Sequence, residues 1–150
     1  DPAFPLNQPQ AKAATMLLVE DNFGCGSSRE GAVYALVDHG IRAVIGPGFG
    51  DIFFNNALKN GLVPVRLAAH LCEELAALLR TRPAATVTVD LEAGRVSLPG
   101  NLGTHLIRID PFARDCILRG LDEMEMTFTY MDDIRAFESA RIAASPWLGR

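Results

Sequence analysis

Residues 22–30 read NFGCGSSRE: Gly24, Cys25 and Gly26, then the hydroxyls of Ser27 and Ser28, then the guanidinium of Arg29 and the carboxyl of Glu30. Glycines let a backbone turn sharply and approach a ligand closely. Serine hydroxyls donate or accept hydrogen bonds, and an arginine grips a carboxylate or phosphate through two parallel N–H donors. The apolar stretch that follows reads as a helix. Its amino end would leave N–H groups unpaired and carry roughly +0.5 of an elementary charge. Together these residues suit an anion.

The common anion-binding and nucleophile motifs do not fit this turn. A dinucleotide fingerprint needs a third glycine where Arg29 stands, and a P-loop needs a lysine that is missing. A hydrolase elbow centred on Ser28 needs glycine where Glu30 stands. His39, His70 and His105 are scattered, and nothing in their spacing brings one to the serines. Each residue also has an ordinary reading. The glycines could simply make a turn, the serines could cap the helix, and Arg29 could be a solvated side chain. Cys25 reads as a small packing residue rather than a nucleophile, since no activating histidine is identifiable. Glu30 suits the first turn of a helix.

The elements that must hold this turn alternate. Residues 1–14 are proline-rich and aperiodic and read as an extended lead-in. Residues 15–20 (TMLLVE) read as a buried strand, 29–38 as a helix stopped by Gly40, and 42–45 (RAVI) as a second strand. A flexible GPGFG loop follows, then a helix over 51–59 with Asp51 as a candidate cap and Gly61 past its end. Residues 62–67 read as a third strand in which Pro64 points to a sheet edge or a bulge. Residues 68–80 make an amphipathic helix with Leu71, Leu75, Leu78 and Leu79 on one face. The rhythm then changes to a hairpin over 86–91 and 96–98, a strand over 105–109 and a helix from Pro111 to 119. Residues 121–143 carry helical signals without clear boundaries. Strand–helix alternation implies parallel pairing and an α/β fold.

Composition narrows the function. The chain has 150 residues, a net charge of −4 and only 14 Lys and Arg, so one domain is expected and nucleic acid is not an expected ligand. No apolar run is long enough to cross a membrane. Cys25, Cys72 and Cys116 form no Cys-x-x-Cys pair and no even set. They read as reduced thiols of a cytoplasmic protein. Three scattered thiols do not supply the four thiolates of an iron–sulfur cluster, and no metal site is expected. The first residue is Asp1 rather than methionine, which reads as removal of something upstream.

One family fits several separated stretches in order. NFGCGSSRE, RAVIGPGFGDIFFNNALKNGLVPV and DPFARDCILRGLDEMEMTF resemble the small subunit of 3-isopropylmalate dehydratase, the counterpart of the swivelling domain of aconitase. The resemblance runs from about residue 16 to about residue 137, and Gly26-Ser27-Ser28-Arg29-Glu30 is its most specific piece. It implies a swivelling β/β/α domain over residues 15–150, three-layered with a mixed, largely parallel sheet. It implies a hydro-lyase of leucine biosynthesis that interconverts 2- and 3-isopropylmalate by removing and re-adding water. Ser27 would be the general base, Ser28 a substrate ligand and Arg29 the carboxylate clamp, with Gly24, Cys25 and Gly26 shaping the loop backbone. This chain would bind no cofactor itself. A [4Fe–4S] cluster would sit on a large partner subunit, and the substrate would be a small hydroxy-diacid.

Two departures accompany the resemblance. A family segment bearing an Asp-Thr-Asp motif, and a loop that bears on substrate choice, have no counterpart in these residues. Gly31 stands where relatives carry histidine after Ser-Arg-Glu. Three other readings stay open: a related, homoaconitase-like hydroxy-diacid dehydratase, a non-catalytic carboxylate- or phosphate-binding module, and an independent cysteine or serine enzyme.

Overall fold

The computed structural model describes residues 1–26 and 29–148. Its centre is a parallel sheet of β1 (Met16–Leu18), β2 (Ala43–Gly46) and β3 (Val63–Arg66), in that order. The register sets Leu17 beside Val44 and Val44 beside Pro64. Pro64 therefore lies in an edge strand, where its missing N–H costs no ladder bond.

Side-chain alternation sends the sheet into two cores. Ala43, Ile45, Val63 and Val65 face one core, which they share with Cys72 and Leu75. Val44 faces the other, with Val33, Phe49, Phe53, Ala57 and Leu62. With apolar matter on both faces, all four residues of β2 are buried, as expected of a covered parallel strand.

Helices α1 (Gly31–His39) and α2 (Asp51–Lys59) supply the second core, and α3 (Ala69–Thr81) supplies the first. Against α3 and the parallel sheet packs an antiparallel sheet of β4 (Thr88–Asp90), β5 (Arg95–Ser97) and β6 (Thr104–Leu106). Val96 and Leu98 join the first core, while Thr88, Asp90, Arg95, Ser97, Thr104 and Leu106 face solvent. The fold is thus α/β with three layers. The parallel and antiparallel pairing expected within one mixed sheet is divided between two sheets that share a core.

Three further α-helices follow among the described residues: α4 (Pro111–Arg119), α5 (Glu123–Phe128) and α6 (Met131–Ala144). Asp110 caps α4 by accepting from the N–H groups of Phe112 and Ala113 at 3.0 and 3.1 Å. Asp122 and Glu125 form a reciprocal capping box on α5, worth on the order of 1 kcal/mol for such a cap.

Two local expectations change. The lead-in is not simply extended: it carries 3-10 turns at Pro5–Asn7 and Pro9–Ala11, each opened by a proline whose fixed φ suits a helical first position. Asp51 is not the cap of α2. Gly50 takes that place with extended backbone, and Asp51 is a first-turn acid favoured by the helix dipole.

Candidate functional site

The glycine-rich turn lies at the carboxyl end of β1, beside the loop that leaves the carboxyl end of β2. Ligands of open α/β sheets gather at this edge. The two loops are stitched together by a parallel bridge between Phe23 and Phe49. The Phe23 N–H donates to the Gly48 carbonyl at 3.2 Å, and the Gly50 N–H donates to the Phe23 carbonyl at 2.9 Å. Within the turn the Cys25 N–H donates to the Asn22 carbonyl at 3.2 Å. Asn22 is the one non-glycine among the described residues with positive φ, at 61°, a conformation that asparagine tolerates.

Two glycines make this closeness possible. At Gly50 a β-carbon would stand 2.7 Å from the Cys25 α-carbon, so the two backbones touch where a side chain would separate them. At Gly24 (φ 76°) a β-carbon would run into the Phe53 ring. That ring is buried, meets Phe23 edge-on at 5.2 Å and stacks near Phe49 at 6.2 Å. Such aromatic pairs contribute about 0.5–1.5 kcal/mol beyond area burial. Phe54, on the next position of α2, lies under the Arg66 guanidinium at 4.3 Å. The turn therefore rests on an aromatic platform built by α2.

Ser27 and Ser28 lie outside the described residues. The residues on either side of them are placed. Cys25 and Gly26 are exposed, and Arg29 is exposed at the end of the turn. The helix begins at Gly31, two residues later than its spacing predicts, with Glu30 at the cap in helical conformation. Glu30 turns its carboxylate along α1, where it accepts the Tyr34 hydroxyl at 2.6 Å. That hydrogen bond, and then the negative charge of Glu30, push the Tyr34 phenol above its ordinary range.

Cys25 differs from the packing role read from its size. Its thiol is exposed, whereas Cys72 and Cys116 are buried in separate elements. Burial pushes both buried thiols up, with Glu73 adding at Cys72 and Asp115 and Glu123 adding at Cys116. Among the described residues no group of three or more His, Cys, Asp and Glu could hold a metal ion. The three cysteines here do not fit an iron–sulfur cluster.

Electrostatics separates the two sides of this sheet edge. On the α3 side a cavity of about 490 Å³ is lined by the carboxylates of Glu20, Asp21 and Glu73 and by Arg80. A dianion is repelled by that excess of negative charge. On the other side stand the exposed Arg29 and the amino end of α1, both of the sign that favours an anion.

Sequence reasoning identified the turn but not its support. Phe23, Phe49, Phe53 and Gly50 were unassigned, although one signal was legible: the chain places Phe-Gly pairs, Phe23-Gly24 and Phe49-Gly50, after two successive strands. Parallel neighbours with such endings bring phenylalanines and glycines together.

Along most of its length the chain is similar to proteins of one family. Residues 1–70 match the aconitase C-terminal domain. The chain is 45% identical to the 3-isopropylmalate dehydratase small subunit of Rhodospirillum centenum, over 97% of this chain and 71% of that protein. It is 46% identical to the protein of the same name from Methylibium petroleiphilum, over 99% and 68%. A crystal structure of 3-isopropylmalate dehydratase (leuD) from Methanocaldococcus jannaschii superposes with a TM-score of 0.57 at 25% identity, covering 94% of this chain and 75% of that one. The chain belongs to the 3-isopropylmalate dehydratase small-subunit family.

Proposed function

We propose that this chain is the small subunit of a 3-isopropylmalate dehydratase and supplies the proton-transfer half of its active site. The carrying observation is the turn itself. It is clamped against the start of α2 through Gly50, rests on Phe53, and delivers Arg29 two residues before the amino end of α1.

In this reading Arg29 binds one carboxylate of a hydroxy-diacid through paired N–H donors, and Ser28 adds a hydrogen bond to the substrate. Ser27 takes the proton from the carbon next to the hydroxyl-bearing carbon. The electron pair of that C–H bond becomes the new double bond as hydroxide departs. Return of water across the double bond in the opposite sense completes the isomerisation. A serine alkoxide is a strong base that needs stabilisation. The amino end of α1 and the Arg29 charge are of the right sign to supply it.

Departure of hydroxide is served elsewhere. We assign it to a large subunit that carries a [4Fe–4S] cluster, since the cysteines of this chain do not assemble one. Among the described residues no helix is long and apolar enough to cross a membrane. Three free thiols suit a reducing compartment, which supports a cytoplasmic location in this reading. It is assigned to leucine biosynthesis by its family.

The test is formation of the unsaturated intermediate from 2-isopropylmalate, with the chain alone and with a cluster-loaded large subunit. Turnover is expected only in the mixture. Ser27→Ala should lower it by about 10²–10⁴-fold, the contribution of a positioned general base, without loss of fold. Full activity in Ser27→Ala would remove the serine from the role of base. Turnover of a longer hydroxy-diacid in preference to 2-isopropylmalate would establish the homoaconitase-like alternative instead.

A further inference from the structure

A cleft of about 690 Å³ opens between α2, α4 and α5. Three large apolar side chains stand in it half exposed or more: Ile52 at 53%, Phe112 at 50% and Met124 at 65%. They come from three different helices and are 12 to 72 residues apart along the chain. Leu58 and Cys116, both buried, lie beneath them. Apolar side chains gathered in a polar-rimmed cleft mark a contact surface rather than ordinary scatter.

Each charged group of the cleft has a partner within the chain and stays exposed to solvent. Asp110 and Asp122 cap α4 and α5, and Lys59 pairs with Glu123 at 3.3 Å. The rim is therefore acidic, and its single lysine is committed to one of the three carboxylates. A small diacid is repelled here, and a metal ion finds no assembled ligand set. The chemistry left on offer is apolar area bordered by negative charge.

Position decides the occupant. Ile52 is the second residue of α2, and Gly50, just before that helix, lies against the Cys25 backbone. The cleft runs along α2 from Ile52 to Lys59, and its Ile52 end lies beside the proposed catalytic turn. A subunit that completes that turn must come down on this end of the helix.

We infer that the α2–α4–α5 cleft is the docking site of the large subunit, which inserts apolar side chains between Ile52, Phe112 and Met124 and presents Lys or Arg to the rim of Asp110, Asp122 and Glu123. The inference rests on the proposed function, because the occupant is the subunit that function requires. Its energetics follow the pattern of an apolar interface centre inside a polar rim.

The experiment measures association of the chain with the cluster-loaded large subunit by calorimetry and sedimentation. It uses the wild type, Ile52→Asp, Met124→Asp, Met124→Leu and Leu106→Asp. Ile52 and Met124 both lie in the first turn of a helix, where an acid is favoured, so the fold is expected to survive; circular dichroism melting of each variant checks this. Leu106 is 67% exposed on the antiparallel sheet and serves as the control.

Expected are wild-type affinity for Leu106→Asp and Met124→Leu, and at least roughly tenfold weaker binding for Ile52→Asp and Met124→Asp. Association that both aspartate variants leave within about twofold of wild type overturns the docking site alone. Wild type that neither associates nor turns over substrate removes the proposed function as well. A chain that self-associates, and loses only that self-association in Met124→Asp, assigns the cleft to a second copy and overturns the inference.

Discussion

Gly24 and Phe53 occupy what would otherwise be the same space: a β-carbon at residue 24 would overlap the Phe53 ring. The ring is buried and held edge-on to Phe23. The turn can rest this low on α2 only because residue 24 has no side chain and accepts a φ of 76°.

Gly24→Ala should therefore be costly twice over. The positive φ alone costs about 1–2 kcal/mol for an alanine, and the ring must also move. Thermal unfolding should show a drop of several degrees, and turnover with the large subunit should fall further than stability does. Phe53→Leu should restore part of the loss. A double-mutant cycle on the two positions should therefore be clearly non-additive.

Gly31 gives the opposite expectation. Among the described residues, no atom outside its chain neighbours and its own helix backbone lies within 4 Å of a β-carbon there, and its φ is not positive. Gly31→Ala should stabilise by about 0.4–1 kcal/mol through the unfolded chain. Gly31→His should also fold without loss. A lower melting temperature for either variant would show that the start of α1 needs glycine for another reason.

The Tyr34 hydroxyl donates to Glu30 and its titration is raised. A raised phenol favours the protonated form in the folded state. Its contribution to stability is thus complete below the ordinary tyrosine range, near pH 10, and disappears as pH rises through the folded value. Ultraviolet titration should find one phenol ionising late, and Glu30→Gln should bring it back towards the ordinary range. Both groups are partly solvated, so the stability change should be small.

Thiol chemistry should divide the three cysteines. Exposed Cys25 should react with a chromogenic disulfide at once, while Cys72 and Cys116, buried and pushed up in pKa, should react only on unfolding. Cys25→Ser should abolish the fast phase. Modification of Cys25 should also block turnover, because its backbone abuts Gly50 at the base of the turn. Immediate reaction of all three thiols would contradict the packing described for α3 and α4.

Some of the fold was legible because its signals are local. The bounds of α2, Asp51–Lys59, and of α4, Pro111–Arg119, follow from an acid or proline in the first turn and a stop beyond the last. Gly40 ends α1 in left-handed conformation as its position implies, and Gly120 does the same for α4. The hairpin expected over 86–91 and 96–98 pairs antiparallel, Thr88–Asp90 against Arg95–Ser97. Less legible was the start of α1, since Glu30 could extend the helix or end the turn. The capping of α2 was also hidden: Asp51 has the better side chain, yet only glycine at residue 50 lets the Cys25 backbone approach.

By itself the sequence determined the alternation of strands and helices, the anion-seeking composition of residues 24–29 and, through its motifs, the family. These depend on hydrogen bonds and dihedral preferences within a few residues, or on residue order alone. Only the tertiary structure decided that the Cys25 backbone would meet Gly50, that Phe53 would carry the turn, and that Ile52, Phe112 and Met124 would line one cleft. Those contacts join residues far apart in the chain. They depend on which helix faces which, and that is set by packing both sides of the parallel sheet rather than by any local pattern.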